Sequence, residues 1–282
     1  METSSLPPSH QLQDAALRVY TPAVEPGAGS PDGRTLEDSM AERIPLGAPS
    51  GGEVRHWVAR SPVILDLIDK ARQVARSKVP VLIQGESGTG KELLARLIHE
   101  SSPRRGRPFI QVNCASFSEA LVASELFGHE KGAFTGAEQR HLGYFERAAQ
   151  GSVLLDEIGE MPFTLQARLL RVLEEETFDR VGGEQTLKVD VRLIATTNRD
   201  LEEETAQGRF RRDLFYRLNA MPLSMPALRA RLEDLSPLVQ YFIERYGEQG
   251  TVRVTAIAPQ AMHILRGYSW PGNIRQLRNV IH

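Results

Sequence analysis

The sequence predicts an α/β chain: a parallel sheet flanked by helices, followed by a small all-helical domain. Short apolar runs alternate with amphipathic segments from about residue 53 to 222, the pattern of buried strands joined by crossover helices. Beyond about residue 222 only helical spacing remains. The first 52 residues differ again, with Pro7, Pro8, Pro22, Pro26, Pro31, Pro45 and Pro49 leading into Ser50-Gly51-Gly52. Such a stretch buries too little apolar surface to offset its ordering entropy. The expected division is therefore a disordered tail over 1–52, an α/β domain over 53–222 and a helical domain over 223–282. The tail leaves room for a short helix around Thr35 to Arg43.

Each element has its own warrant. Val63, Ile64, Leu67, Ile68, Ala71 and Val74 recur at helical spacing within Ser61 to Ser77. Val81-Leu82-Ile83 is a short buried strand, with Pro80 at its start, where a missing N–H is tolerated. Glu92 to Glu100 follows as a helix. Phe109 to Val112, Val153 to Leu155 and Val191 to Ala195 supply three more strands, with an amphipathic helix over Leu165 to Glu176. Leu232 to Tyr246 and Pro259 to Gly267 are helical, and Asn273 opens a last helix as its N-cap. That helix reaches His282 without a stop signal, as expected of a fragment.

Composition excludes several function classes. With 282 residues and 41% hydrophobic content the chain can bury a sizeable core, and its net charge of -2 gives no overall bias toward nucleic acid or membrane. The single cysteine, Cys114, forbids an intramolecular disulfide and fits a reducing, cytoplasmic setting. No apolar run approaches the roughly 18–20 residues of a membrane span. METSSLPPSHQLQ lacks the basic start and apolar stretch of a secretory signal. The seven histidines show no metal-ligand spacing.

Two segments carry chemistry. Gly85-Glu86-Ser87-Gly88-Thr89-Gly90-Lys91-Glu92 lies between a strand and a helix. Glycines let the backbone turn its N–H groups onto phosphate oxygens, the helix N-terminus adds positive potential, and Lys91 would reach the β- and γ-phosphates. Glu92 stands where Ser or Thr would hold Mg²⁺, so the metal would lean on phosphates, water and a distant carboxylate. Asp156-Glu157, at the end of an apolar strand, supplies that carboxylate. The first acid would hold Mg²⁺ and the second would orient or deprotonate the attacking water. A third segment, Gly132-Ala133-Phe134-Thr135-Gly136-Ala137, sets an aromatic and a hydroxyl between hinge glycines. By itself it fits a partner-binding tip or a loop whose Phe134 tucks into the core.

The segments GESGTGKE (85–92), FIQVNC (109–114), ELFGHEKGAFTGA (125–137), LLDEIGEM (154–161), VRLIATTNRDL (191–201), FRRDLFYRL (210–218) and WPGNIRQL (270–277) resemble, in order, those of NtrC-type activators. These are the AAA+ enhancer-binding proteins of sigma-54 RNA polymerase. The likeness runs from about residue 53 to the end, and Glu92 matches that family's usual form. It implies an ATPase using ATP and Mg²⁺, assembled as a homo-hexamer or heptamer, that converts closed promoter complexes to open ones. It also implies residue roles: Asn113 as a switch paired with Glu157, Asn198 as the γ-phosphate sensor beside Thr197, and Arg275 as the lid arginine. Arg211 and Arg217 match arginine fingers acting on a neighbouring subunit, and which is the finger proper stays open. The GAFTGA loop, residues 132–137, would contact sigma-54, with Val181 to Glu184 as a second moving loop. No DNA-binding helix-turn-helix or membrane segment is expected within this chain. The competing expectations are a nucleotide-binding scaffold without turnover and an AAA+ remodeller of another client.

Overall fold

The computed structural model describes residues 41–46, 55–115, 119–247 and 254–282. Cα packing divides them into two compact units. One comprises Leu67–Glu86 and Gly90–Met225; the other comprises the described residues up to Asp66, Ser87–Thr89 and Pro226–His282.

The chain opens with β1 (Glu42–Leu46) and β2 (Arg55–Ala59), an antiparallel pair registered from Glu42 opposite Ala59 to Leu46 opposite Arg55. This corrects the expected tail: Glu42 and Arg43 begin a strand, not the end of a helix. Leu46, Trp57 and Val58 are buried, so a local apolar pairing overrides the proline-rich composition. The rest of the 1–52 expectation lies outside the described residues.

Helix α1 (Pro62–Ala75) buries Ile64, Leu67, Ile68, Ala71 and Val74, whereas Val63 turns outward. The strands β3 (Val81–Gln84), β4 (Phe109–Asn113) and β5 (Ser152–Asp156) interleave with α2 (Lys91–Glu100), α3 (Glu119–Phe127) and the short α4 (Tyr144–Arg147). Helix α5 (Phe163–Glu175), the β6/β7 hairpin (Thr177–Asp179, Thr186–Lys188), β8 (Arg192–Thr197), α6 (Leu201–Ala206), α7 (Arg212–Leu218) and β9 (Met221–Ser224) complete this unit. The sheet runs β4-β5-β8-β3-β9, every pair parallel. Strands β5 and β8 are buried throughout, as central parallel strands must be. Their loop-facing ends bring Asp156 and Thr197 to one rim of the sheet.

Strand β9 lies across the expected domain boundary at 222. Pro222 reads as a strand stop, but β9 is a sheet edge, where a residue without an N–H is tolerated. The β6/β7 hairpin was also missed, since its strands are only three residues each. The other unit adds α8 (Leu235–Tyr246), α9 (Pro259–Gly267) and α10 (Asn273–Ile281). These pack around Trp270, Leu228, Leu235, Leu265 and Leu277, together with Val58 of β2.

Buried polar groups tie the elements together. Arg192, 1% exposed at the start of β8, donates to the carbonyls of Ala75 (2.6 Å) and Val74 (2.8 Å). It thereby caps the last turn of α1 with a cation. His99 of α2 lies 2.9 Å from the Ser152 hydroxyl through Nδ1 and packs on the Phe109 ring. Burial, assisted by the Arg96 charge, pushes its pKa down to about 4. The unfolded chain therefore takes up this proton more readily than the fold. The stability contributed is full above pH ~6.5 and is lost as pH falls toward 4. Between pH 7 and 4.5 the parent should lose about 2 kcal/mol more than His99→Gln. Urea unfolding at both pH values measures the difference; parallel losses would remove His99 from the acid limb.

Candidate active site

The loop from Gly85 to Gly90 joins β3 to α2, as phosphate binding requires. Gly88 has φ +78°, and a Cβ there would lie 2.4 Å from the Gly272 carbonyl oxygen. No side chain fits. Lys91, the first residue of α2 and 6% exposed, folds back beneath the loop. Its Nζ donates to the carbonyls of Gly85 (2.8 Å) and Glu86 (3.3 Å) and stands 3.6 Å from Glu157 Oε1. Glu92 lies half-buried in the first helical turn.

The two acids have different surroundings. Asp156 is nearly buried and accepts from the Thr196 hydroxyl. Glu157 adopts a left-handed backbone, φ 53° and ψ 53°, an uncommon state for a non-glycine residue that often marks functional sites. Its N–H donates to Thr196 Oγ1 (3.3 Å), and its Oε2 accepts from the Asn198 N–H (3.1 Å). One carboxylate is thus fixed in the rim, while the other reaches toward the lysine. Thr196 thereby touches both acids. Sequence reasoning passed over it, though its position before Thr197-Asn198 at a strand end was the available signal.

Asn113 departs from the expected pairing. Its Nδ2 is 3.5 Å from Asp156 Oδ2, and its Oδ1 accepts from the Ala115 N–H. The β4–β5 register sets Asn113 opposite Asp156, not Glu157. Asn198 meets Glu157 through its backbone, its side chain being exposed.

Arg211 precedes α7 as its N-cap residue, and Arg217 lies in its last turn. Arg211 forks onto Asp213 (3.0 and 2.7 Å), which holds the guanidinium pKa above its ordinary value. The acid two residues on thus satisfies it within its own motif. Arg217 donates to the Leu173 carbonyl at 3.2 Å. A groove of ≈ 550 Å³ beside Arg211 is lined by Phe163, Phe210, Asp213 and Tyr216.

In the helical unit Arg275 Nη1 lies 3.2 Å from the Ser87 hydroxyl. Asn273 is not the expected N-cap. It is fully buried at φ 49°, its Oδ1 accepting from the Leu228 N–H and its Nδ2 donating to the Ser87 carbonyl. Asn tolerates the left-handed conformation, which frees its amide for these longer-range bonds.

The loop at 132–137 is a compact turn. The Gly132 N–H donates to the Ala137 carbonyl (2.8 Å) and the Ala137 N–H to the Phe134 carbonyl (3.0 Å). Phe134 stays 45% exposed, braced by the His129 ring at 4.9 Å, and Thr135 is exposed. The second loop sits against it. Val181 exchanges backbone bonds with Gly128 and Glu130, and a Cβ on Gly182 would lie 2.7 Å from that of Ala133.

A phosphate loop, paired strand-end acids and an exposed GAFTGA turn thus coexist in one chain, and comparison with known proteins decides among their meanings. The sigma-54 interaction domain family matches residues 57–224.

The chain belongs to that family.

The AAA+ ATPase lid domain family matches residues 229–282. The chain is 54% identical over 226 residues to the regulatory protein AtoC of Escherichia coli, covering 80% of this chain and 49% of that one. It is also 54% identical over 226 residues to the sigma54-dependent transcriptional regulator SfnR of Pseudomonas fluorescens, covering 80% of this chain and 61% of that one. Among solved structures, NtrX from Brucella abortus in complex with ATP aligns with a TM-score of 0.73 at 42% identity, over 79% of this chain and 48% of NtrX. The chain spans about half the length of AtoC and NtrX. It is an AAA+ ATPase domain of the sigma-54-dependent activator type.

Proposed function

We propose that this chain hydrolyses ATP and uses the energy to remodel sigma-54 RNA polymerase, turning closed promoter complexes into open ones. The observation that carries the catalytic part is the convergence of Lys91 with Glu157, Lys91 Nζ standing 3.6 Å from Glu157 Oε1. Lys91 and the amides of residues 85–90 bind the phosphates. Glu157 takes the proton of the attacking water. Asn113 and Asn198 border the acids and report the state of the γ-phosphate to the rest of the domain. Arg275 contacts nucleotide from its own subunit.

Asp156 fits a magnesium role, because Mg²⁺ is commonly held by one or two carboxylates together with substrate phosphates. Bound there, the ion would neutralise charge developing on the transferred phosphoryl group. Arg211 and Arg217 act on the neighbouring subunit of a homo-hexamer or heptamer. The exposure of Arg217 in the last turn of α7 supports this reading, and the fork of the half-buried Arg211 onto Asp213 has to open for Arg211 to serve. The exposed Phe134-Thr135 tip supports the sigma-54 contact. The proposed setting is the cytoplasm; among the described residues no helix is long and apolar enough to cross a membrane.

Lys91→Ala tests the reading. Losing the ammonium should weaken ATP binding by about 10²-fold or more, consistent with loss of charge-assisted bonds to phosphate. Equilibrium titration with a fluorescent ATP analogue measures it. Undiminished binding would place the nucleotide elsewhere.

A further inference from the structure

Among the described residues of the helical unit, Arg231 and Asp234 are the most deeply buried oppositely charged pair, 1% and 0% exposed, with Nη1 and Oδ2 3.7 Å apart. Burying such a pair is costly unless its remaining donors and acceptors are used. Asp234 Oδ1 accepts from the N–H groups of Arg60 and Ser61, both at 2.6 Å, and Oδ2 accepts from the Ser61 hydroxyl at 2.9 Å. The acid therefore fixes the turn from β2 into α1. Arg231 Nη2 donates to the Thr89 carbonyl at 2.7 Å. Burial pulls the guanidinium down to about 10, so it remains a cation at neutral pH.

Thr89 does not stand alone. The Ser87 carbonyl accepts from Asn273 Nδ2 and the Gly88 carbonyl from the Ile274 N–H, both at 3.0 Å. Three successive phosphate-loop carbonyls are thus each held by a donor from the same unit. In a planar trans peptide the N–H of the next residue points opposite the carbonyl, and none of these peptides is cis. Fixing the carbonyls of residues 87–89 therefore fixes the N–H directions of Gly88, Thr89 and Gly90, the groups a phosphate would meet.

We infer that Arg231, charge-balanced by Asp234, is a positioning residue of the phosphate loop: its guanidinium holds the Thr89 carbonyl so that the Gly90 amide is aimed at nucleotide phosphate. The inference rests on the ATPase reading above and adds a residue that none of its motifs contains. The Asn273 side chain and the Ile274 N–H perform the same task two residues and one residue earlier in the loop.

The test is nucleotide affinity measured beside stability, on the full chain. Arg231→Met keeps much of the apolar volume and removes the donor. It should raise the Kd for both ATP and ADP about tenfold, as loss of one preset phosphate contact would. It should also lower the melting temperature, because Asp234 is left buried without its cation. Arg231→Met with Asp234→Asn removes that stranded charge while keeping an acceptor for Arg60 and Ser61. The double variant should regain melting temperature and keep the weakened Kd. If affinity returned together with stability, Arg231 would be structural only and the inference would fall. Parental Kd values in the single variant would have the same consequence, provided Lys91→Ala loses binding. A parent chain that does not bind ATP would overturn the ATPase reading and this inference together, so the two failures are distinct.

Discussion

Glu157→Gln should leave ATP binding near the parental level while turnover falls by about 10²–10⁴-fold, the range for losing a general base. The amide keeps the shape of the side chain and an oxygen for the Asn198 N–H, which lies 3.1 Å from Glu157 Oε2. It cannot accept a proton from water. Phosphate release, measured beside equilibrium ATP binding, separates the two effects. Equal loss of binding in Glu157→Gln and Lys91→Ala would mean that the acid holds the nucleotide and does not act on water. The same variant probes assembly. Mixed with Arg217→Ala, it should recover part of the turnover, since some interfaces then join an intact Glu157 to an intact Arg217. Mixtures no more active than their components would count against arginines acting across subunits.

The second large effect falls on output. Thr135→Ala should retain most of the ATPase yet abolish promoter opening by sigma-54 polymerase, and with it sigma-54 binding in the presence of ADP and a metal-fluoride mimic of the γ-phosphate. Thr135 is exposed at the tip of a turn closed by Gly132–Ala137 and Ala137–Phe134 backbone bonds. Removing its hydroxyl disturbs none of those bonds. Phe134→Ala should behave alike, because the ring supplies most of the apolar contact so small a tip can offer. Open-complex formation followed by permanganate footprinting, beside ATP turnover, is the decisive pair of measurements. Parental opening by Thr135→Ala would leave an AAA+ ATPase whose client is met elsewhere.

The local elements were legible where physics is local. Val81 to Ile83 and Val153 to Leu155 are continuous apolar runs because both faces of a central strand are buried. Lys91, Asp156 and Glu157 could be named because a phosphate loop and a strand-end acid pair are contiguous motifs. What the sequence hid depends on contacts between distant segments. Pro222 and Pro45 argued against strands, and only their partners make β9 and β1 possible. Asn273 read as a cap, since no local rule announces an amide reaching Ser87 and Leu228. No local pattern in the sequence marks Arg231. Its burial follows from the fold around Asp234. Thr196 became a site residue only when β5 and β8 were laid side by side.

The pairing of β1 with β2 bears on how this domain is handled in the laboratory. The family match begins at residue 57, inside β2. A recombinant fragment trimmed to that match would lose β1 and the first residues of β2. Trp57 and Val58, now buried, would sit at a raw terminus with ladder groups unsatisfied, a template for pairing with other chains. Precipitation of such a fragment would then reflect the cut and not the motor, and the remedy is to retain the sequence from before Glu42.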